Sequence, residues 1–200
     1  MTDHTATIGR LLRSSTTGYV FGCAVPEPEV PLFGAFVKAP AQKKQTEIIG
    51  LIYNIAVEDD PFVKQMVATP DLDEAYIQDQ RVNRQVPIEV SVLAVGYRSA
   101  HGVAFVYSLP PQPPITLDRI NPCSREEVLD FTSRFDYLRL ILDSAEAPAD
   151  ELIGVSLRLA ADLRPAQDRV FFLRDAGKEL ARLLNRDLAR LENLLRRIRP

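Results

Sequence analysis

Between residues 88 and 95 the chain alternates with a period of two: Ile88, Val90, Val92 and Ala94 share one face, Leu93 and Val95 the other. A strand apolar on both faces near its end must be covered on both, by a sheet wrapped on itself or by other elements. Similar runs precede it. "TIGRLLRSS" and "GYVFGCAV", separated by "TT" before Gly18, read as a hairpin. "FGAFVKA" reads as a third strand, "TEIIGLIYNIAV" (46–57) as a long fourth and "VPIEVSVLAVGY" as the fifth. After "RSAHG", "VAFVYS" reads as the sixth. Six short strands with turn signals between them predict a small closed barrel, because closure removes exposed edges.

Proline punctuates this half. "PEPEVP" (26–31) is a rigid loop that cannot donate a ladder of hydrogen bonds. Pro110, Pro111, Pro113 and Pro114 end the sixth run and form a semi-rigid spacer. Residues 58–86 are a long insertion whose prolines and acids interrupt any long helix. Its apolar Phe62, Val63, Met66, Val67, Tyr76 and Ile77 suit a packed loop, and loops of this length usually carry function or disorder. The expected organisation is a barrel over 6–115, a proline-containing linker over 116–123 and a helical arm over 124–200.

From residue 124 the period changes. "SREE" matches a capping box, with Ser124 as N-cap and Glu127 at N3. Val128, Phe131, Phe135, Leu138 and Leu142 follow at steps of three and four, one apolar stripe. "SAEAPAD" ends that helix, and residues 149–163 read as another, although Gly154 and the alternation Val155, Leu157, Leu159 also permit a strand. Pro165 opens the last segment as a good first-turn residue. Ala166, Val170, Leu173, Gly177, Leu180 and Leu184, then Leu188, Leu191, Leu195 and Ile198, predict one long terminal helix. At about 1.5 Å per residue, it would be roughly 50 Å long. A repeated step of four at Leu184 is a stutter-like hitch in the seam.

Composition adds limits. A hydrophobic content of 46%, a charged content of 26% and a net charge of -3 describe an ordinary globular chain. No apolar run approaches the roughly 18 residues that span a bilayer, and the N-terminus lacks a signal-peptide core. Two distant cysteines, Cys23 and Cys123, argue against a disulfide scaffold and fit a reducing cytoplasm. The charge is uneven: residues 1–122 hold 10 Lys+Arg against 13 Asp+Glu, residues 165–200 hold 9 against 5.

Candidate chemistry is sparse, and neither catalysis nor a cofactor is expected. His4 and His101 have no Ser, Cys or carboxylate placed as a triad requires. Cys23 reads as a small core residue of a strand, and the two cysteines and two histidines lack zinc-ligand spacing. Glu58, Asp59, Asp60, Asp71, Asp73 and Glu74 offer carboxylates for Mg²⁺, against the plainer reading of a solvated loop. Gly177-Lys178 lacks the upstream glycine and the following hydroxyl of a phosphate loop. Arg182, Arg186 and Arg190, at i, i+4 and i+8, form a stripe joined by Arg196, Arg197 and Arg199. It suits sequence-independent phosphate contact or a solvated face beside Asp187 and Glu192. The seam Leu184, Leu188, Leu191, Leu195 and Ile198 suits self-association or packing on the other helices.

The order "IGRLL", "FVKA", "EIIGLIYNI", "VPIEVSVLAVGY", "VAFVYSLPPQPP" resembles the HAS-barrel, the small six-stranded barrel named for the HerA DNA translocases and the ATP synthases. The resemblance spans roughly residues 6–115, with patterns rather than signature motifs. In HerA-type proteins the closing strand runs through proline-rich chain into a RecA-like ATPase; here helices follow and no phosphate loop does, so no ATPase residue is carried over. The resemblance implies an assembly role. The chain would be a non-enzymatic adaptor docking onto a HerA-type ring translocase or its nuclease partner in DNA processing, with Asp59, Asp60, Phe62 and Met66 offering a docking surface. A direct nucleic-acid binder using Arg182, Arg186, Arg190, Arg196 and Arg197 is the alternative.

Overall fold

The computed structural model describes residues 7–23, 31–57, 88–99, 102 and 104–199. Six strands close a barrel: β1 (Gly9–Ser14), β2 (Gly18–Cys23), β3 (Phe36–Ala41), β4 (Thr46–Val57), β5 (Ile88–Ser99) and β6 (Arg119–Pro122). Their order around it is β1-β2-β5-β4-β3-β6, every pairing antiparallel. Alternate residues from all six, among them Leu11, Phe21, Val37, Ile48, Ile52, Val90, Val92 and Ile120, form the barrel's own buried cluster.

The sixth strand is not where the alternation placed it. Arg119–Pro122, inside the expected linker, closes the barrel by pairing with β1 on one side and β3 on the other. Ile120 is its only fully buried side chain, too short an alternation to stand out beside Pro122. Among its described residues "VAFVYS" makes a single bridge, Val106 to Tyr97, and Val106 is exposed. Its Phe105 and Tyr107 lie against Phe131 of the first helix instead. The prolines therefore precede the closing strand rather than leading away from the barrel.

Five helices follow: α1 (Arg125–Phe131), α2 (Tyr137–Leu142), α3 (Ala149–Asp162), α4 (Ala166–Leu183) and α5 (Leu188–Arg197). The capping box at Ser124 is formed, with Glu127 N–H donating to Ser124 Oγ and Ser124 N–H to the Glu127 carboxylate. The single helix expected over 124–142 is two, separated by a turn at Thr132–Asp136. Buried Thr132 donates to Val128 O, and Arg164 from beyond α3 hydrogen-bonds both Thr132 Oγ1 and its carbonyl. Arg164 also stacks over the Phe172 ring at 3.6 Å, so one side chain ties α1, α3 and α4 together. Residues 149–162 are helical, the first of the two readings left open.

The long terminal helix is likewise broken. α4 ends at Leu183 with Leu184 as its C-cap, and Asp187 caps α5 by accepting from Arg190 N–H at 3.0 Å. The hitch at Leu184 marks the break, and "NRD" supplies residues that favour caps over helix interiors. α5 folds back onto α3 and α4. A Cβ on Gly154 would sit 3.2 Å from Arg197 Cβ, and one on Gly177 3.1 Å from Leu195 Cδ2, so both glycines permit the close approach.

The helices share a second core with the barrel. Phe36, Ile49, Leu51, Leu93 and Val95 cluster with Phe131, Tyr137, Leu138, Ile141, Leu152, Leu157, Leu180, Leu194 and Ile198. This explains the two-faced apolar pattern of β4 and β5: one face fills the barrel and the other carries the helices.

Candidate functional site

Three features gather on the barrel wall around β6. The first is a clasp of four charges. Lys38 of β3 donates to Glu127 Oε1 at 2.6 Å and lies 3.5 Å from Glu47 of β4. Arg98 of β5 bonds Glu47 Oε2 and Glu127 Oε1, both at 2.5 Å, and its guanidinium stacks on Phe105 at 5.1 Å. All four side chains are mostly buried, so their attraction is screened less than that of a surface pair. Burial alone would push the Glu127 carboxyl up. The hydrogen bonds from Lys38 and Ser124 N–H, with the charges of Lys38 and Arg98, outweigh it and hold the group below the usual carboxylate range. Cys123 lies behind this clasp, and burial pushes its thiol far up, which disfavours the thiolate form.

The second is a groove of about 890 Å³, lined by Arg10, Lys38, Lys44, Glu47, Arg98, Leu117, Asp118, Arg119 and Asn121 among others. Both its rims carry left-handed backbone. Gln42, Lys43 and Lys44, at the β3–β4 turn, have φ of 50°, 55° and 69°, and Leu117 has φ of 72°. Positive φ at a turn suits the twist of a hairpin, but Asn and Gly adopt it far more cheaply than Lys or Leu. Leu117 is held there by its surroundings: its N–H donates to Leu11 O at 2.9 Å and its carbonyl accepts from Arg10 Nη1 at 3.0 Å. At 65% exposed, its side chain contributes little packing. Leu117→Gly is therefore expected to leave the unfolding free energy unchanged or raise it by up to about 1 kcal/mol, relieved strain outweighing added chain entropy. Urea denaturation checks this, and a loss above about 1 kcal/mol would contradict it.

The third is an apolar strip. Residues 114–118 run beside β1, stitched by Ser14 Oγ to Pro114 O at 2.7 Å and by Leu11 N–H to Asp118 O at 2.9 Å. This brings Ile115 and Leu117, both more than half exposed, alongside outward-facing Leu12 at 43%. Leu117 belongs to both strip and groove.

The residues singled out in the sequence fall elsewhere. Asp59, Asp60, Phe62 and Met66, the other loop carboxylates, and both histidines lie outside the described residues. Among the described residues, no group of three or more His, Cys, Asp or Glu is placed to hold a metal. The arginine stripe does not form one line: Arg182 is on α4, Arg186 in the break and Arg190 on α5. Arg182 pairs with Glu179, Arg190 with Asp150 at 2.7 Å, Arg196 with Glu192 and Arg197 with Glu151. Of the seam, Leu184 and Ile198 are buried in the shared core, Leu191 and Leu195 pack against it, and Leu188 is 70% exposed. Sequence reasoning missed the groove because its residues are spread over five strands. The one local hint was a pair of lysines at a hairpin tip.

Among the described residues no helix is long and apolar enough to cross a membrane. No family model and no curated protein matches the chain.

Proposed function

We propose that this chain is a non-enzymatic adaptor, whose HAS-like barrel docks onto a HerA-type ring translocase or its nuclease partner in DNA processing. The observation that carries the reading is that Leu12, Ile115 and Leu117, three large apolar side chains, are exposed on two hydrogen-bonded neighbouring segments of the barrel wall. Single exposed apolar residues are ordinary, whereas contiguous ones mark contact surfaces. The helices cover the β4–β5 side through the shared core, and the β1–β6 side offers this strip. A closed barrel of six strands agrees with the fold the resemblance implies, although its closing strand is Arg119–Pro122 and not "VAFVYS".

The test is affinity capture of the wild-type chain and of Leu12→Glu/Ile115→Glu from the native host. A ring ATPase or nuclease retained in near-stoichiometric amount by the wild type, and lost by the variant, is the expected result. Recovery of the chain alone would overturn the adaptor reading and turn attention to self-association through the exposed Leu188.

A further inference from the structure

We propose that the groove across β1, β6, β3, β4 and β5 binds the phosphodiester backbone of a nucleic-acid strand. This site lies on the barrel, not on the arginine-rich C-terminal helices, and does not depend on the docking reading.

The strand register lays the polar groups out in a row. Arg10 of β1 stands opposite Arg119 of β6. Asn121, two residues on and so on the same face, stands opposite Lys38 of β3. Pro40, two beyond Lys38, faces Glu47 of β4, and Glu47 faces Arg98 of β5. On this closed barrel the exposed cation Arg10 of β1 lies two to three strand steps of about 4.8 Å, roughly 10–14 Å along the curved wall, from Lys44 at the β3–β4 turn, with Arg119 of β6 on the strand between. That length exceeds one phosphate group and suits successive phosphates of a chain.

The charges divide into two sets. Lys38 and Arg98 are matched by Glu47 and Glu127 and belong to the clasp. Arg10, Lys44 and Arg119 line the groove and are exposed. The bond from Arg10 to Leu117 O takes one of five guanidinium donors and leaves its charge intact. Asp118 and Glu47 are the acids in the lining, so with Glu127 behind them the five cations keep an excess of two. Asn121 adds a neutral donor of the kind that contacts phosphate oxygens.

Two further observations narrow the ligand. Left-handed backbone at Lys44 on one rim and Leu117 on the other is the strain that persists where a surface is shaped for contact. No aromatic side chain is in the groove lining among the described residues, so bases find no stacking platform there. The backbone supplies the affinity, which is then independent of sequence and steeply salt-dependent.

The test is fluorescence anisotropy of the full chain with a fluorescein-labelled oligothymidylate of about 20 nucleotides, from about 20 to 200 mM KCl. Three exposed cations predict a slope of log K against log salt of about -2. Arg10→Glu/Arg119→Glu should weaken binding at least about tenfold at the lowest salt and bring the slope to about -0.7 or shallower. Arg10→Gln/Arg119→Gln, a milder change at exposed positions, should lose less affinity but the same part of the slope. Arg182→Glu/Arg186→Glu/Arg196→Glu should change affinity by less than about twofold. Thermal melts of all variants establish that they are folded. Absence of binding at the lowest salt overturns the proposal, as does a loss that follows the C-terminal variant instead. Binding of inorganic pyrophosphate without the oligonucleotide overturns it too, since the groove would then be a small-anion site.

Discussion

Phe131→Ala is expected to lower the unfolding free energy by about 3–5 kcal/mol, a large part of the stability of a domain this size. The Phe131 ring is buried where α1 meets the barrel, with ring centroids 6.0 Å from Phe36, 5.1 Å from Phe105, 5.1 Å from Tyr107 and 5.3 Å from Tyr137. β5 makes room for it: a Cβ on Gly96 would stand 2.9 Å from Phe131 Cε2. Four aromatic neighbours cannot collapse into the space together, so truncation leaves a cavity as well as losing buried area. The residues around it come from β3, α1, α2 and the 105–107 segment, so loosening them loosens the join between barrel and helices. Phe171→Ala, on an α4 side chain that is 55% exposed, serves as the control and should cost under about 1 kcal/mol. Equilibrium urea denaturation decides it: a loss below about 1.5 kcal/mol for Phe131→Ala would mean that the aromatic cluster does not hold the two parts together.

Glu127→Ala should come next, at about 3 kcal/mol. The change leaves Lys38 and Arg98 facing each other with only Glu47 between them, and removes the N3 half of the capping box. Glu127→Gln separates the two contributions. Its amide oxygen still accepts from Ser124 N–H, so it should retain the cap and lose the charge. The wild type also carries a pH dependence with a definite sign. A carboxyl held below its unfolded value releases its proton more readily when folded, so its stabilisation is fully present above an unfolded pKa of about 4.3. It is lost as the pH falls through the folded value. The variant should be less stable than wild type near neutrality, and the gap should shrink below about pH 4. A gap that stayed constant from neutrality to acid would show that the Glu127 charge is not what secures α1 to the sheet.

Much of the barrel was legible because its strands carry their own pattern. β4 coincides with "TEIIGLIYNIAV", and the two faces of β5 divide as its alternation divides: Val90, Val92 and Ala94 into the barrel, Leu93 and Val95 toward the helices. A long strand covered on both sides writes its burial into every position. β6 writes almost nothing. Four residues with one inward side chain and a proline look like linker, and only β1 and β3 on either side make them a strand. "VAFVYS" shows the converse: a run with strand composition whose aromatic residues are worth more against Phe131 than in a ladder.

The same division holds for the helices and the surface. The capping box at Ser124 and the hitch at Leu184 are local events, and each is visible within a few residues. Whether the chain beyond Leu184 projects or folds back is not local. Leu194 and Ile198 keep helical spacing either way, and it is the glycines of α3 and α4, opposite α5, that let it return. Periodicity reports only that a face is apolar, not what covers it. The sequence by itself determined five strands of the β half, a helical half and the cap where one becomes the other, since these rest on interactions between near neighbours. The tertiary structure alone decided which strand closes the barrel, that the arginines of the last helices meet acids of their own chain, and that Arg10, Lys44 and Arg119 share a groove. Strand register and helix docking set those distances between residues far apart in the chain, and neither is encoded in any short stretch.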